Sequence, residues 1–331
     1  MAERLRIAVL DDSQHVARDA ANWSALQARA EIDFFDAPLG GEAEIIAKLS
    51  RYDVLVPMRE RTAFPASVIN ALPNLKFIAL TGGRAPSLDM AACTARGILI
   101  CNTRGDFVGA ATPELAWGLM LACMRSIPQA DASMKRGGWH DPTLVGATLG
   151  GKRLGVVGLG KLGGKVAHYG RAFDMEVVGW SQNLTDEDAK AKGATRVDKN
   201  ELFATSDVIS LHLVLSDRTR GIVGAPELSA MKDGAVLINT SRGPLIDEAA
   251  LIAELKRGRI RAGLDVFDVE PLPTEHPLRA LPNVVLTPHL GYSVAPAFRQ
   301  FYSDSIENIL AWLDGKPIRM LNPNALGASK A

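Results

Sequence analysis

No apolar run in this 331-residue chain is long enough to cross a bilayer. The longest, Leu115–Met124, is closed by Glu114 and Arg125, and a span needs about 20 residues. The N-terminal Met1-Ala-Glu-Arg-Leu-Arg runs straight into Ile7–Leu10, which is too short for a signal-peptide core and lacks its small-residue cleavage site. Cysteine is scarce. Cys93, Cys101 and Cys123 show neither a C-x-x-C pair nor Cys/His ligand spacing, so no metal site is expected, and they read as buried thiols of a reducing, cytoplasmic compartment. Charge of one sign is also missing, since Lys plus Arg and Asp plus Glu each number 37. That balance gives no long-range attraction to nucleic acid or to an anionic membrane. The chain also lacks low-complexity segments and short-period repeats.

What is present is ordinary globular material, 47% hydrophobic and 22% charged, in a length that favours two domains. Short β-branched runs alternate with helix-like stretches. Leu5–Leu10, Ile32–Phe35, Val54–Val56, Phe77–Leu80 and Ile98–Cys101 read as buried strands, with Glu42–Ser50 and Leu88–Arg96 as helices between them. A long periodic stretch, roughly Ala110–Arg136, is expected to break near Pro128. A second series follows at Arg153–Val157, Glu176–Trp180, Val208–Leu211, Ala235–Asn239, Ala262–Val266 and Val284–Thr287. Helical patterns include Leu162–Phe173, Glu248–Arg257 and Ala297–Asp314. The alternation predicts an α/β protein made of two doubly wound parallel-sheet domains.

The clearest motif is Arg153-Leu-Gly-Val-Val-Gly158-Leu159-Gly160-Lys161-Leu162-Gly163, a strand running into G-x-G-x-x-G with a helix pattern behind it. Gly158 permits the tight turn, Gly160 lets the backbone approach a pyrophosphate, and Gly163 lets helix and strand pack closely. The helix N-terminus then receives the phosphates. In that context the motif predicts a dinucleotide site. The adenosine ribose should be read about 20 residues on, yet the next strand ends Val177-Val178-Gly179-Trp180-Ser181-Gln182-Asn183 without a carboxylate. An Asp or Glu there would favour NAD. Ser181 and Gln182 can donate to a 2′-phosphate instead, so the cofactor is expected to be NAD or NADP, with a slight lean to NADP. A plain polar turn with loose selectivity is the bland alternative.

Three further runs end in chemically capable residues, namely Val236-Leu-Ile-Asn-Thr-Ser-Arg242-Gly243, Gly263-Leu-Asp265-Val-Phe-Asp-Val-Glu270-Pro271 and Val284-Val-Leu-Thr-Pro288-His289. Ligands of open parallel sheets bind outside the carboxyl ends of the strands. Arg242 has the fork that suits a carboxylate or a neighbouring carbonyl. His289 is the natural acid–base group near neutral pH, and Glu270 is placed to bond its second ring nitrogen. Taken singly, Arg242 is an ordinary helix-start arginine, Glu270 a solvated loop residue and His289 a structural histidine. The three together point to proton and hydride transfer.

At this point the chain resembles the D-isomer-specific 2-hydroxyacid dehydrogenases, which include glyoxylate/hydroxypyruvate reductases and phosphoglycerate dehydrogenases. The resemblance covers essentially the whole chain. It is carried by Gly158–Gly163, Met231–Asp247, Leu264–Pro271 and Leu286–Gly291. It implies NAD(P)-dependent interconversion of a small 2-oxo acid and its 2-hydroxy acid, with Arg242 binding substrate, Glu270 supporting the histidine and His289 moving the proton. It also implies a Rossmann cofactor domain over residues 104–294, a discontinuous flavodoxin-like substrate domain over 1–103 and 295–331, and a homodimer built largely through the cofactor domains. Cofactor contacts carried by motif are Thr112, His212, Leu213, Val214, Thr240, Ser241, Asp265 and Gly291, with Asp265 holding the nicotinamide carboxamide. On the substrate side stand Arg59, in Pro57-Met-Arg59-Glu-Arg61-Thr, and Gly82, Gly83 and Arg84, where the family has a carboxylate-cradling loop. Arg84 and Pro86 depart from the family's usual G-x-G-x-[DN], and Val214 replaces a frequent Pro. Formate dehydrogenases share the fold but carry Gln where this chain has Glu270. An NAD(P)-sensing, corepressor-like binding protein on the same fold is the alternative from another class.

Overall fold

The structure is a computed structural model in which residues 4–83 and 86–328 are described; Arg84 lies outside the described residues. The chain forms two compact units. Unit 1 comprises Met1–Phe107 with Val294–Ala331, and unit 2 comprises Val108–Ser293.

Unit 1 is built on five parallel strands, β1 (Leu5–Val9), β2 (Ala30–Phe34), β3 (Val54–Val56), β4 (Phe77–Leu80) and β5 (Leu99–Asn102), in the order β2-β1-β3-β4-β5. This is the flavodoxin-like doubly wound order, whose switch point lies between β1 and β3. Every residue of β3 and β4 is buried. That explains why they read as unbroken apolar runs rather than alternating ones: a parallel sheet is covered on both faces. The C-terminal helix Ala295–Leu313 belongs to this unit and stacks Trp312 on Phe77 at 4.9 Å between ring centroids.

Unit 2 holds seven parallel strands, β6 (Arg153–Val157), β7 (Glu176–Trp180), β8 (Thr195–Arg196), β9 (Val208–Leu211), β10 (Val236–Asn239), β11 (Arg261–Leu264) and β12 (Val284–Leu286), ordered β12-β11-β10-β9-β6-β7-β8. Counted from β6, the first six strands follow the 3-2-1-4-5-6 dinucleotide-binding order, with β12 added at the edge. Alternate side chains feed opposite cores. Val156, Val177, Val208 and Ile238 pack with Trp117 and Met120 of helix Val108–Arg125, whereas Val157, Val178, Ile209 and Leu237 pack with Phe203, Leu228 and Leu251. All strands point the same way, so the residues after β6, β9, β10, β11 and β12 emerge along one edge.

Two local features have physical causes. The strand β8 was not expected, because both of its residues are exposed and carry no apolar signal on a sheet edge. The long helix breaks at Ser126, whose φ of 50° is left-handed, and Pro128 sits in the first turn of the next helix, Ile127–Lys135. Proline there opens the second helix rather than ending the first, because a first-turn residue needs no hydrogen-bonded N–H. The three cysteines are buried and free, and burial pushes each thiol up to about 12, far from reactive thiolate. Among the described residues, no helix is long and apolar enough to cross a membrane.

Candidate active site

The glycine loop between β6 and helix Lys161–Ala172 is dictated by space. Gly158 has φ 95°, and a Cβ on it would lie 2.7 Å from the His212 carbonyl carbon. A Cβ on Gly163 would lie 2.1 Å from the Gly158 oxygen, so only glycine lets the first helical turn sit on the loop. At Gly160, the helix N-cap, a Cβ would meet nothing within 4 Å. Open space beside an uncapped helix start is what a pyrophosphate needs. Lys161, Leu162 and Gly163 form the first helical turn, and buried Leu159 packs into the core beneath it. Ser181 and Gln182 follow β7 in a turn closed by the Leu184 N–H donating to the Ser181 carbonyl at 3.1 Å.

His212, Leu213 and Val214 follow β9, and Val214 stands 82% exposed. The His212 ring bonds Ser210 Oγ through Nε2 at 2.8 Å, while its buried Nδ1 and the buried Thr240 Oγ1 have no partner within the protein. Burial pulls the His212 imidazole down to about 4, so it is neutral at pH 7. Because its folded value lies below the ordinary 6.5, protonation costs stability as pH falls from about 6.5 towards 4. Orphaned polar atoms beside an open glycine loop fit a dinucleotide.

The Arg242 loop is shaped by buried Asn239 at the end of β10. Its amide donates to the Arg242 carbonyl at 2.9 Å and its oxygen accepts from the Ser241 N–H at 3.0 Å, while Ser241 Oγ donates to the Leu211 carbonyl at 2.9 Å. Gly243 then allows an extreme approach, since a Cβ there would lie 2.1 Å from the Phe267 carbonyl carbon. The Arg242 loop is thereby seated against the loop that carries Glu270.

Glu270 accepts from the Phe267 N–H at 2.9 Å through one carboxylate oxygen, and its other oxygen lies 2.6 Å from His289 Nδ1. Partial burial pushes the Glu270 carboxyl up. The His289 bond and charge, the Phe267 N–H and the Arg242 charge outweigh burial and hold it below the usual carboxylate range. Its contribution to stability is therefore present above that range and lost as pH falls through the lowered value.

His289 itself has φ 54°, a left-handed conformation that a non-glycine residue rarely adopts. It is held there by Asp265. The Asp265 carbonyl accepts from the His289 N–H at 2.8 Å, and its carboxylate accepts from Thr287 Oγ1 at 2.6 Å, the Leu290 N–H at 2.7 Å and the Gly291 N–H at 2.8 Å. Burial raises the Asp265 carboxyl above its ordinary value, and those donors only partly offset it. Thr112 donates to the Gly291 carbonyl at 2.8 Å, tying helix Val108–Arg125 to the same loop. The Tyr292 ring meets His289 edge-on at 5.9 Å.

The structure thus brings Arg242, Glu270, His289, Asp265, Thr112 and Gly291 together in unit 2, beside the ends of the strands that follow the glycine loop. Arg59, Gly82 and Gly83 belong to unit 1, where they form their own group. Among the described residues there is no cluster of three or more acidic, histidine or cysteine side chains fit to hold a metal.

Residues 117–291 match the family model described as D-isomer specific 2-hydroxyacid dehydrogenase, NAD binding domain. The chain belongs to the D-isomer specific 2-hydroxyacid dehydrogenase family. Within that family it is 40% identical over 270 residues to a hydroxypyruvate reductase of Thermotoga maritima, covering 80% of this chain and 86% of that one. It is 38% identical over 277 residues to a D-3-phosphoglycerate dehydrogenase of Archaeoglobus fulgidus, covering 83% of this chain and 52% of the relative. The chain therefore spans about half the length of that phosphoglycerate dehydrogenase. A crystal structure titled as a putative D-3-phosphoglycerate dehydrogenase from Ralstonia solanacearum superposes with a TM-score of 0.90 at 37% identity, over 97% of this chain and 98% of that one.

Two residues of this candidate site escaped the sequence reading. Asn239 shapes the Arg242 loop and Thr287 braces Asp265. A signal existed for Asn239, because an Asn two residues before a loop Ser is the pattern of a side-chain turn.

Replacing Glu270 with Gln keeps an acceptor but removes the charge. Because the lowered Glu270 carboxyl favours the folded protein above the ordinary carboxylate range, Glu270→Gln should narrow the loss of stability between pH 7 and pH 4. Thermal melting at the two pH values reads this, and a loss as large as the wild type's contradicts it.

Proposed function

We propose that this chain reduces small 2-oxo acids to D-2-hydroxy acids, and runs the reverse oxidation, with NAD(P)(H). The observation that carries the reading is the His289–Glu270 contact at 2.6 Å beside Arg242, on the same strand edge as the glycine loop. The cofactor would be held by the Gly158–Gly163 loop, Ser181, Gln182, His212, Leu213, Val214, Thr240, Ser241, Asp265, Thr112 and Gly291, and when bound it supplies the hydride. Arg242 anchors the substrate carboxylate and polarises its carbonyl. His289 gives its proton to the carbonyl oxygen during reduction and takes it back during oxidation. Glu270 orients the ring and balances its charge. Arg59, with Gly82 and Gly83, is proposed to meet the substrate, Arg59 taking the far end of a longer acid.

Incubation of D- and L-2-hydroxy acids with oxidised cofactor above pH 8 tests this reading. Absorbance at the nicotinamide band should grow with the D form; growth with the L form alone overturns it. No carboxylate stands at positions 181–183 directly after β7, so NADPH should give a KM no higher than NADH. A KM for NADPH more than about tenfold above that for NADH, about 1.4 kcal/mol, removes the lean to NADP.

The chain is proposed to act as a homodimer, because Ile127, Met134, Trp139 and Val145 of unit 2 expose half or more of their surface. Sedimentation of a monomer at micromolar concentration contradicts that. Three free thiols suit a reducing compartment, and the cytoplasm is the proposed setting.

A further inference from the structure

At the carboxyl ends of β1, β3 and β4 in unit 1, three loops each turn through a left-handed residue: Asp11 (φ 60°), Arg59 (φ 55°) and Gly82 (φ 88°). Only the glycine adopts that conformation freely. Asp11 and Arg59 must be held, and held residues of this kind cluster at functional sites.

The ties are specific. The Arg59 N–H donates to Thr81 Oγ1 at 2.8 Å, and Thr81 Oγ1 donates to the Pro57 carbonyl at 3.0 Å, so the turn begins fixed to β4. The Met58 carbonyl accepts from the Arg61 N–H at 3.2 Å and closes the turn around Arg59. Beyond it, both remaining anchors reach the β1 loop. Arg61 Nη1 donates to the Asp11 carbonyl at 2.8 Å, Gln14 Oε1 at 3.1 Å and Ser13 Oγ at 3.2 Å. Thr62 Oγ1 donates to the Asp11 carboxylate, 2.9 Å and 3.0 Å from its two oxygens.

Asp11 is only 7% exposed, so its carboxyl is a buried group bonded to Thr62, while Arg61 holds its main-chain carbonyl, and it has no part in the chemistry above. Burial raises it above the ordinary carboxylate value, against the Thr62 bond and the Arg61 charge. The product of these ties is the placement of the Arg59 guanidinium. Its Nη1 lies 3.1 Å from where a Gly82 Cβ would stand, so it lies over the bare backbone of Gly82. The Gly82 N–H is itself fixed to Thr103 Oγ1 at 2.8 Å.

We propose that Asp11 is a positioning residue for substrate selection. Through Thr62 and Arg61 it locks the turn that places Arg59 over Gly82, and so sets how well the protein accepts 2-oxo acids bearing a second anionic group. The inference rests on the reading of Arg59 as the contact for the far end of the substrate. Without the lock, Arg59 leaves its left-handed conformation and its guanidinium loses a fixed position. A substrate without a side chain has no second group for Arg59 to hold.

Steady-state kinetics on the full chain tests this with glyoxylate, which has no side chain, and 2-oxoglutarate, which has a second carboxylate. Affinity for the latter is read as KM, or as Ki against glyoxylate if it is not turned over. In Asp11→Asn the constant for 2-oxoglutarate should rise about tenfold, with glyoxylate within about twofold. Thr62→Val, which keeps the shape and removes the donor, should reproduce the split if Asp11→Asn folds poorly. Arg59→Ala should also weaken 2-oxoglutarate, and Asp11→Asn added to it should cost nothing more, because the two act as one unit.

Equal losses on both substrates, or losses that multiply in the double variant, overturn the proposal. A selective loss in Arg59→Ala with none in Asp11→Asn and Thr62→Val overturns it alone. An Arg59→Ala protein with unchanged affinity for 2-oxoglutarate overturns the reading of Arg59, and this inference falls with it.

Discussion

Replacing His289 with Asn is expected to cut kcat for 2-oxo acid reduction by about 10²–10⁴-fold, the usual contribution of a positioned acid–base group. Asparagine is the informative substitution. His289 has φ 54°, a conformation that Asn tolerates better than most residues, so the variant keeps the loop while losing a side chain that can move a proton at neutral pH. The backbone hydrogen bonds from His289 to Asp265 and Thr287 do not involve the ring and should persist. Affinity for the reduced cofactor, read by nicotinamide fluorescence, should therefore change little. A loss of cofactor affinity as large as the loss of kcat would make His289 a scaffold residue, and unchanged turnover would remove it from the mechanism.

The second large effect is expected where there is no side chain at all. Gly243→Ala adds one methyl to a residue whose φ is not left-handed, so the backbone itself tolerates alanine. The methyl would sit 2.1 Å from the Phe267 carbonyl carbon, 2.3 Å from its oxygen and 2.5 Å from the Asp268 nitrogen. These are backbone atoms and cannot swing aside. The Arg242 loop must therefore move away from the loop that holds Glu270, and through Glu270 from His289. Misplacement by about 1 Å costs about 10²-fold in such sites, so kcat/KM for the oxo acid should fall at least that far. The glycine loop at Gly158–Gly163 lies elsewhere on the strand edge, so cofactor affinity should fall less than kcat/KM, its loss being confined to the contacts of Thr240 and Ser241 on the displaced loop. Activity within a few-fold of wild type, in a protein that melts normally, contradicts the close approach.

Much of this arrangement was legible because parallel sheets write themselves plainly. Strands buried on both faces, such as Phe77–Leu80 and Val236–Asn239, read as continuous apolar runs, and the β3, β4, β6, β7 and β9 limits coincide with the sequence reading. Gly158 and Gly163 were legible for a similar reason, since only glycine fits where a Cβ would strike backbone. The exposed edge strand Thr195–Arg196 was not, because its pairing is with backbone alone. Nor was the tie between Asp11 and Thr62, which are separated by 51 residues of sequence and joined only by the β1–β3 neighbourhood. Nor was the bracing role of Asp265, whose carboxylate accepts from Thr287, Leu290 and Gly291. Sequence reveals which residues end the strands; it does not reveal which of them brace the others.

The central claim is most directly tested by mixing the purified chain with NADPH or NADH and, separately, glyoxylate, hydroxypyruvate, pyruvate and bulkier 2-oxo acids, and following absorbance at the nicotinamide band. The structure predicts its loss with at least one of these acids, one cofactor oxidised per acid reduced. Tight cofactor binding with no turnover of any of them would contradict the account and favour a dinucleotide-sensing protein on the same fold.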